Sequence, residues 1–311
     1  MRKILITGGA GYIGSMLATE LVKDKKNFVT VIDLLKYSES SLNHLFFYDN
    51  FNFIKEDVTQ ISKIKKFIKD SNFVIPLAAL VGAPLCKRNK KIAKRTNFIS
   101  IKNLIKECKK NQKIIYPTTN SGYGIGEKNK LCDENTPLKP ISLYGITKVM
   151  AEHEVMKYKK SVSIRLATVF GASYRMRSDL IVNNFVERAI KQKKLIIFEP
   201  KFRRNFIHVR DVVYAFCYII ENFNKFKGEV YNLGLSSANI TKLELARKIK
   251  KKLPRTKIIT KNFKKDPDQR DYFVSNKKIE QNGFKAKISL EKGIDELINV
   301  FSNNKNIINN Y

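Results

Sequence analysis

A tyrosine and a lysine one helical turn apart are the residues of this chain best suited to proton transfer. Tyr144 and Lys148 stand at positions i and i+4 of the sequence Tyr-Gly-Ile-Thr-Lys. On a helix these positions share one face, so the two side chains lie close together. An ammonium there favours the phenolate and is expected to lower the pKa of Tyr144 towards neutrality. The pair therefore predicts a general base for a hydroxyl substrate, or a general acid in the reverse direction, although ordinary surface helices carry the same spacing.

A polar segment at 117–124 supplies a second candidate group. Thr119 lies in this segment, just past the predicted strand at 112–118, and could hydrogen-bond the reacting hydroxyl. Because serine, asparagine and glycine suit turns in general, an ordinary polar turn is the alternative interpretation.

Three glycines near the start of the chain predict a site for a dinucleotide. Gly8, Gly11 and Gly14 follow an apolar run and precede an amphipathic segment. Glycines let the backbone approach a pyrophosphate, and a helix N-terminus offers it N–H groups and a positive dipole. Asp33 ends the next apolar run, about 20 residues on, where a carboxylate takes both ribose hydroxyls and repels a 2′-phosphate. The sequence therefore predicts NAD as the cofactor, in preference to NADP.

The elements that must position these residues alternate along the first half of the chain. Short β-rich runs alternate with helical patterns, which predicts parallel βαβ units in a doubly wound α/β sheet. Ligands of such sheets lie at the carboxyl ends of the strands, where the candidate residues fall. The predicted strands are 3–7, 28–33, 51–55, 72–77, 112–118 and 161–167, and the predicted helices are 12–25, 61–69, 90–110 and 143–159.

After about residue 170 the alternation loosens, which indicates a smaller second lobe. We predict an NAD-binding Rossmann domain over 1–170 and a substrate-binding lobe over 171–311, of which 205–235 returns to the main domain. The Asn-rich end from about 302 is expected to be frayed. The predicted elements of the lobe are helices at 179–193, 209–223, 241–252, 275–281 and 290–301 and strands at 195–198 and 229–233.

Composition restricts the class of protein. The 311 residues are 43% hydrophobic, enough for a packed core, but the formal charge of +32 would usually suggest a nucleic acid or an anionic membrane as partner. The lysines are spread over nearly every predicted helix, so we expect solvated helix faces, no nucleic acid and no membrane partner. The sequence has no apolar run of membrane-spanning length and no recognisable signal peptide, so we predict a cytoplasmic protein. Its four cysteines lack the spacing of metal ligands, so we predict no metal site.

Taken together, the motifs resemble those of the extended short-chain dehydrogenase/reductases of the nucleotide-sugar epimerase/dehydratase group. The resemblance covers essentially the whole chain in the order typical of that family. It implies NAD as cofactor and a nucleotide-diphospho-sugar as substrate. The motifs that carry it are Thr7–Gly14, Asp33, Asp57 with Val58, Leu77–Gly82, Asn97, Thr119, Tyr144–Lys148, Arg204–Asp211 and Tyr231–Gly234.

The resemblance also implies a role for single residues. Tyr144 resembles the catalytic tyrosine, Thr119 its hydroxyl-orienting partner, and Lys148 a residue that also holds the nicotinamide ribose. The implied cofactor contacts are Gly8, Gly11, Tyr12, Ile13, Asp33, Asp57, Val58, Leu77, Ala78, Ala79, Asn97, Tyr144 and Lys148. The implied substrate contacts are Val81, Thr119, Asn120, Arg177, Asn183, Arg204 and Arg270. An arginine fork suits a diphosphate, which is the group expected at Arg204 and Arg270.

The family further implies a homodimer. Helices equivalent to those at 90–110 and 143–159 form a dimeric four-helix bundle in relatives. Both predicted helices carry apolar residues on more than one face, namely Ile92, Ile101, Ile105, Val149, Val155 and Met156.

Departures from the family pattern narrow the activity. Dehydratases of the group carry Asp-Glu after the catalytic threonine, whereas this chain has Asn120 and Ser121, so dehydration is disfavoured. Thr168 stands where hexose epimerases carry an asparagine on the diphosphate, which weakens a simple UDP-hexose 4-epimerase interpretation. We interpret three further reactive side chains as structural, namely Cys86, His153 and His208.

A narrower likeness is to the GDP-heptose 4-dehydrogenases of bacterial surface polysaccharides. We predict NAD-dependent oxidation of the C4 hydroxyl of a nucleotide-diphospho-sugar, which is a dehydrogenation if the ketone is released and a 4-epimerisation if it is re-reduced on the other face. A non-catalytic NAD- or RNA-binding relative is the alternative of another class. The strings that carry the narrower likeness are Leu77–Asn89, Thr118–Glu127, Arg165–Gly171, Arg175–Leu180 and Gly234–Lys242.

The carboxylate at the end of the second strand generates the first prediction. Because Asp33 accepts two ribose hydroxyls and repels a phosphate, the protein should bind NAD more tightly than NADP. Binding titrations with both dinucleotides measure this preference, and an NADP affinity equal to or above that for NAD would contradict it.

Overall fold

Strands and helices alternate through most of the chain. The structure is a computed structural model that describes residues 1–127, 130–261 and 270–303. Its strands are β1 (Arg2–Thr7), β2 (Asn27–Asp33), β3 (Phe51–Lys55), β4 (Phe73–Pro76), β5 (Lys113–Thr119), β6 (Leu131–Cys132), β7 (Ser161–Leu166), β8 (Thr168–Phe170), β9 (Lys194–Phe198), β10 (Arg203–His208), β11 (Val230–Leu233), β12 (Asn239–Thr241), β13 (Lys257–Lys261) and β14 (Phe273–Val274). Its α-helices are α1 (Tyr12–Val22), α2 (Ile61–Asp70), α3 (Ala83–Arg88), α4 (Lys90–Lys94), α5 (Ser100–Glu107), α6 (Leu143–Met156), α7 (Ile181–Gln192), α8 (Val209–Glu221), α9 (Phe223–Phe226), α10 (Lys242–Lys252), α11 (Lys277–Gln281) and α12 (Leu290–Asn303).

A seven-stranded sheet forms the centre of the molecule, in the order β11-β7-β5-β4-β1-β2-β3. Every neighbouring pair in it is parallel, and helices lie against its strands, so strands such as β1 and β7 are buried on both faces over most or all of their length. The predicted doubly wound α/β fold is therefore confirmed. The strand order reverses between β1 and β4, which is where such sheets bind ligands.

The first turn requires glycine at two positions. Gly8 has φ of +75°, and a Cβ there would lie 2.5 Å from the backbone nitrogen of Ala78. A Cβ on Gly14 would lie 2.4 Å from the carbonyl oxygen of Gly8. The turn therefore packs directly against the residues that follow β4, and α1 begins with its N-terminus at the edge of the sheet.

The later part of the chain builds a second core beside the sheet. Helices α7, α10 and α12 pack together there, while β11 joins the main sheet beside β7. The charged and aromatic cluster that includes Arg203–His208 was not predicted as a strand, yet it forms β10 by pairing with both β8 and β12. The frayed end predicted from about 302 lies, beyond Asn303, outside the described residues.

The helix predicted over 90–110 is interrupted and shorter. A π-helical turn at Arg95–Ile99 separates α4 from α5, which ends at Glu107. A π turn accommodates one more residue than an α turn, and the buried Asn97 lies within it. The amide of Asn97 accepts from the backbone N–H of Leu80 at 2.7 Å and donates to its carbonyl at 2.9 Å.

Three of the six apolar positions expected at a dimer interface pack within the chain instead. Ile101, Val149 and Val155 are buried in the protomer, so these three side chains are not available to a second copy. A smaller apolar set remains exposed on the same helices and the π turn, namely Ile92, Ile99, Ile146 and Met150. Among the described residues, no helix is long and apolar enough to cross a membrane.

The exposed apolar set generates the second prediction. Burial of these side chains against a second copy is favourable, so the protein should be a homodimer at micromolar concentration by light scattering. Met150→Lys should shift it towards the monomer, because Met150 is 38% exposed on α6. As a control, Phe47→Lys changes a side chain that is 90% exposed elsewhere and should leave the mass unchanged. A wild-type monomer would refute the prediction.

Candidate active site

One cavity of about 900 Å³ runs along the carboxyl edge of the main sheet. The glycine turn and Asp33 line one end of the cavity, and the arginines of the second lobe line the other end. The cavity brings together most of the residues singled out from the sequence: Gly8, Gly11, Tyr12, Ile13, Asp33, Asp57, Val58, Leu77, Ala78, Ala79, Val81, Thr119, Tyr144, Lys148, Arg177, Arg204 and Arg270.

The end near Asp33 has the features of a dinucleotide site. The two carboxylate oxygens of Asp33 accept from the backbone N–H groups of Ala10, at 3.0 Å, and of Leu35, at 2.8 Å. These bonds hold the carboxylate at the cavity edge, although burial raises its pKa above the ordinary value. Gly11 precedes the first turn of α1, whose N–H groups can donate hydrogen bonds to a phosphate. The residues present therefore fit NAD.

Further along the cavity, the ends of β3 and β4 supply its walls. The Asp57 carboxylate accepts from the backbone N–H of Thr59 at 2.8 Å, which fixes the turn that presents Val58 to the cavity. The lining stretch after β4 is held from behind by the Asn97 amide. Asn97 itself does not line the cavity. Its role is therefore to hold the cavity wall in place from behind.

Thr119, Tyr144 and Lys148 converge from β5 and α6. Ser142 caps α6, since its hydroxyl accepts from the backbone N–H of Gly145 at 3.1 Å. This cap starts the helix so that Tyr144 and Lys148 share its inner face. The side chains of Thr119 and Tyr144 both line the cavity, and the Lys148 ammonium lies 4.1 Å from the ring centroid of Tyr116.

The expected effect of Lys148 on Tyr144 is wrong in this structure. Burial raises the pKa of Tyr144 to about 12, and the nearby Cys86 acts in the same direction. Arg177 and Arg270 oppose this rise electrostatically. Burial also lowers the pKa of Lys148 to about 7, against a smaller opposite effect of Glu152. Low polarity thus outweighs the favourable charge pairing that the spacing alone suggests.

The other end of the cavity is basic. Arg204 is buried and donates to the carbonyl oxygen of Arg203 at 2.9 Å and to that of Arg270. Arg177 pairs with Asp179, with 3.0 Å between Nε and Oδ1. Arginine forks in a buried site suit a phosphate or diphosphate group.

Two asparagines expected to contact substrate lie outside the cavity lining. Asn183 is fully buried, accepts from the Gly171 N–H at 3.1 Å and donates to the Arg177 carbonyl at 2.8 Å. It therefore holds the backbone that carries Arg177. Asn120 is also buried, and its amide atoms have no hydrogen-bond partner within the described ranges.

Several lining residues were not identified from the sequence. Arg175 is buried with its guanidinium 4.8 Å from the ring centroid of Tyr37, close to Asp33. Ser121 lines the cavity two residues after Thr119, and the buried Lys242 lines its far end. The sequence did contain a signal for Arg175, because it forms an Arg-x-Arg pair with Arg177. No spacing rule connects Arg175 with Asp33, however.

The start of the second lobe is fastened to the dinucleotide end. The Tyr12 hydroxyl donates to the carbonyl of Gly171 at 2.8 Å, and the Ser173 hydroxyl donates to the carbonyl of Tyr12 at 2.7 Å. The rings of His44 and Tyr174 stack with centroids 4.1 Å apart. The segment 171–175 therefore borders the N-terminus of α1.

A parallel doubly wound sheet with a glycine turn, a ribose-binding carboxylate and a tyrosine–lysine pair defines a dinucleotide-dependent enzyme of the short-chain dehydrogenase/reductase type. The NAD dependent epimerase/dehydratase family matches residues 4–234. The chain belongs to this family, and NAD is its cofactor.

Similar proteins agree with this placement. The chain is 31% identical over 247 residues, 75% of its length and 76% of the other's, to an uncharacterized UDP-glucose epimerase of Bacillus subtilis, YtcB. It matches the structure of UDP-glucuronic acid 4-epimerase from Bacillus cereus, in complex with UDP-glucuronic acid and NAD, with a TM-score of 0.86 and 25% identity, covering 97% of this chain and 99% of that one. The UDP-glucose 4-epimerase of Thermotoga maritima, with UDP-glucose, matches with a TM-score of 0.83, 26% identity and the same coverages.

The third prediction separates the roles of Tyr144 and Lys148. Tyr144→Phe keeps the ring but removes the proton acceptor, so turnover of a converted nucleotide sugar should fall roughly 10²–10⁴-fold while NAD affinity changes little. Lys148→Ala should reduce both turnover and NAD affinity. Because burial lowers the pKa of Lys148 to about 7, its charge is lost as the pH rises through 7, and wild-type NAD affinity should weaken there.

Steady-state kinetics and NAD titrations between pH 6 and 9 measure these effects. Tyr214→Phe, on the exposed face of α8, is the matched control and should behave as wild type. Near-normal turnover of Tyr144→Phe, or NAD binding by Lys148→Ala with an unchanged pH dependence, would overturn the assigned roles.

Proposed function

We propose that the protein oxidises the C4 hydroxyl of a nucleotide-diphospho-sugar with NAD and re-reduces the ketone on the other face, which makes it a 4-epimerase. We further propose the division of labour in which 1–170 binds NAD and 171–311 binds substrate. The observation that carries the proposal is one continuous cavity. It joins the carboxylate and glycine turn suited to NAD, the Thr119–Tyr144–Lys148 group and the buried arginines.

The geometry supports a reaction at a hydroxyl between these two ends. Arg204 and Arg270 would bind the diphosphate, which leaves the sugar pointing towards Tyr144. Thr119 would hydrogen-bond the reacting hydroxyl and hold it against the phenol. Fixing the sugar at both ends supplies the orientation that proton transfer needs.

The chain's own residues move the proton. Bound NAD would supply the acceptor for the hydride that leaves C4, and its reduced form would supply that hydride again for reduction of the ketone. Tyr144 takes the hydroxyl proton as the C4–O bond becomes a carbonyl, and returns it when the ketone is reduced. For this step the phenol must ionise, and Arg177, Arg270 and Thr119 are the groups that lower its pKa against burial.

The comparisons support 4-epimerisation as the outcome. The relatives described above include named epimerases of UDP-sugars. A dehydratase would need acid/base groups after Thr119, and the amide of Asn120 and the hydroxyl of Ser121 cannot supply them.

GDP-heptose 4-dehydrogenation is the second candidate. Thr168 lines the cavity at the position where hexose epimerases carry an amide, and the sequence strings after β4 and β5 favour this narrower group. Both candidates use the same catalytic residues. The fate of the ketone separates them.

A panel of UDP-, GDP- and dTDP-sugars tests the proposal directly. An epimerase should give an isomer of unchanged mass with no accumulation of NADH absorbance. A dehydrogenase should give a product that is lighter by two hydrogens, together with one NADH for each molecule of product. If no member is converted while RNA is bound with a steep salt dependence, the proposed function is wrong and the non-catalytic alternative is favoured.

The fourth prediction tests the basic end of the cavity. Arg204→Ala removes charge-assisted hydrogen bonds, so nucleotide-sugar binding should weaken by about 1.5–3 kcal/mol while NAD affinity stays unchanged. Isothermal titration with the converted nucleotide sugar measures this. Arg247→Ala removes one charge from the exposed face of α10 and should have no effect. Equal effects of the two variants would show that only net charge matters.

A further inference from the structure

Arg175 lies where two walls of the dinucleotide end meet. Its guanidinium is 4.8 Å from the ring centroid of Tyr37, in the loop that follows Asp33. Its backbone N–H donates to the Ser173 hydroxyl at 3.3 Å, and that hydroxyl donates to the carbonyl of Tyr12 at 2.7 Å. Arg175 therefore connects the first residue of α1 with the loop after β2.

These two walls suit different parts of a dinucleotide. The carboxylate of Asp33, fixed at the end of β2, suits the adenosine ribose. The N-terminus of α1 suits phosphate oxygens. Because the diphosphate is attached to the 5′ carbon of that ribose, it must pass from the loop after β2 to the N-terminus of α1. Arg175 and Tyr37 both line the cavity along this path.

The charges at this end of the cavity favour a cation beside the diphosphate. The first turn of α1, at 12–15, contains no charged side chain, so it offers a phosphate only N–H groups and the helix dipole. The carboxylate of Asp33 adds negative charge next to the same group. Arg175 is only 4% exposed, and a charge-assisted hydrogen bond to phosphate is stronger in such surroundings than at the surface.

The surroundings of Arg175 would themselves be improved by an anion. Burial lowers the pKa of Arg175 below its ordinary value, and the positive charge of Arg177 acts in the same direction. Asp179, Tyr37 and Asp33 oppose this fall electrostatically. A diphosphate beside the guanidinium would add to their effect, because a nearby negative charge favours the charged form of the arginine.

We propose that Arg175 binds the diphosphate of NAD, with its guanidinium placed for this contact by the ring of Tyr37. A guanidinium can donate to two phosphate oxygens through its edge while its face stays against an aromatic ring. Since Arg175 lies within 171–311, the part of the chain assigned to substrate would also hold the cofactor. The proposal does not depend on which sugar is converted or on the fate of the ketone.

Arg175→Gln is the primary test, because it removes the charge and keeps a polar side chain. The dissociation constants of NAD and ADP should rise about 10-fold to 100-fold, the effect of losing charge-assisted hydrogen bonds. Adenosine, which has no phosphate, should bind as it does to wild type. Calorimetry measures NAD and ADP, and an NMR titration measures adenosine. Equal weakening of adenosine and ADP would show a distorted site and would overturn the proposal.

Arg188→Gln is the matched control. Arg188 also lines the cavity, on α7, so the variant removes the same charge from another part of the same cavity. Its affinities for NAD and ADP should equal those of wild type. Equal losses in the two variants would show that only the net charge of the cavity matters, which would contradict a contact between Arg175 and the diphosphate.

Other phosphates distinguish the possible positions of the anion. The phosphate of 2′-AMP is on the ribose oxygen nearest to Asp33, and UDP and GDP carry a diphosphate without adenine. Arg175→Gln should weaken ADP more than any of these three. The largest loss for 2′-AMP would assign the guanidinium to a 2′-phosphate, and the largest loss for UDP or GDP would assign it to the substrate. Either result would overturn the proposal.

A double-mutant cycle tests the role of the ring. Tyr37→Leu should weaken ADP binding, because the guanidinium loses the surface that places it. The loss should be smaller in the Arg175→Gln background, where there is no guanidinium left to place. Additive losses would overturn the role assigned to Tyr37.

A charge-retaining variant keeps the proposal testable if Arg175→Gln does not fold, as judged by thermal unfolding without ligand. Arg175→Lys keeps the positive charge but lacks the planar fork. ADP should therefore bind to it more weakly than to wild type, while adenosine binding is unchanged. Unchanged ADP affinity in Arg175→Lys would then overturn the contact with the diphosphate.

Discussion

A buried ion pair beneath the catalytic helix fixes the parts of the site relative to one another. Glu152, about two helical turns beyond Tyr144 on α6, accepts from Arg165 Nη2 at 2.7 Å. Arg165 belongs to β7 and also donates to the Tyr123 hydroxyl at 3.0 Å, just after β5. Loss of one partner of a buried pair costs about 3–5 kcal/mol, because the other charge is left uncompensated. The register of α6 against β5 and β7 depends on this pair. The placement of Tyr144 and Thr119 in the same cavity therefore depends on it too.

The burial that fixes the catalytic side chains also works against their charged forms. Tyr144 keeps its proton and Lys148 tends to lose its own, since both lie in surroundings of low polarity. Positive charge must therefore reach the phenol from elsewhere, and the second lobe supplies it through Arg177 and Arg270. In the proposed mechanism the same arginines would serve substrate binding and proton transfer, which would tie the ionisation of the tyrosine to the lobe proposed to hold the nucleotide.

The sequence predicts the features that local pattern determines. Alternating apolar runs predicted the strands of the main sheet, and parallel strands bring Gly8, Tyr144 and Lys148 to one edge. What could not be predicted depends on contacts between distant segments. Residues 203–208 form a charged cluster that becomes a strand only by pairing with two others, and Asn183 bonds buried backbone away from the cavity. The shift in the pKa of Tyr144 depends on burial, which spacing does not encode.

The fastening of the 171–175 segment to α1 has a consequence for the lifetime of the bound cofactor. A dinucleotide that lies between Asp33 and the α1 N-terminus is bordered by contacts such as that between Ser173 and Tyr12. If the dinucleotide can leave only after these contacts open, its exchange rate would depend on the stability of the 171–175 segment as well as on the affinity. A resident cofactor suits a cycle that oxidises and re-reduces the same sugar, since the cofactor ends each turnover in the form in which it began.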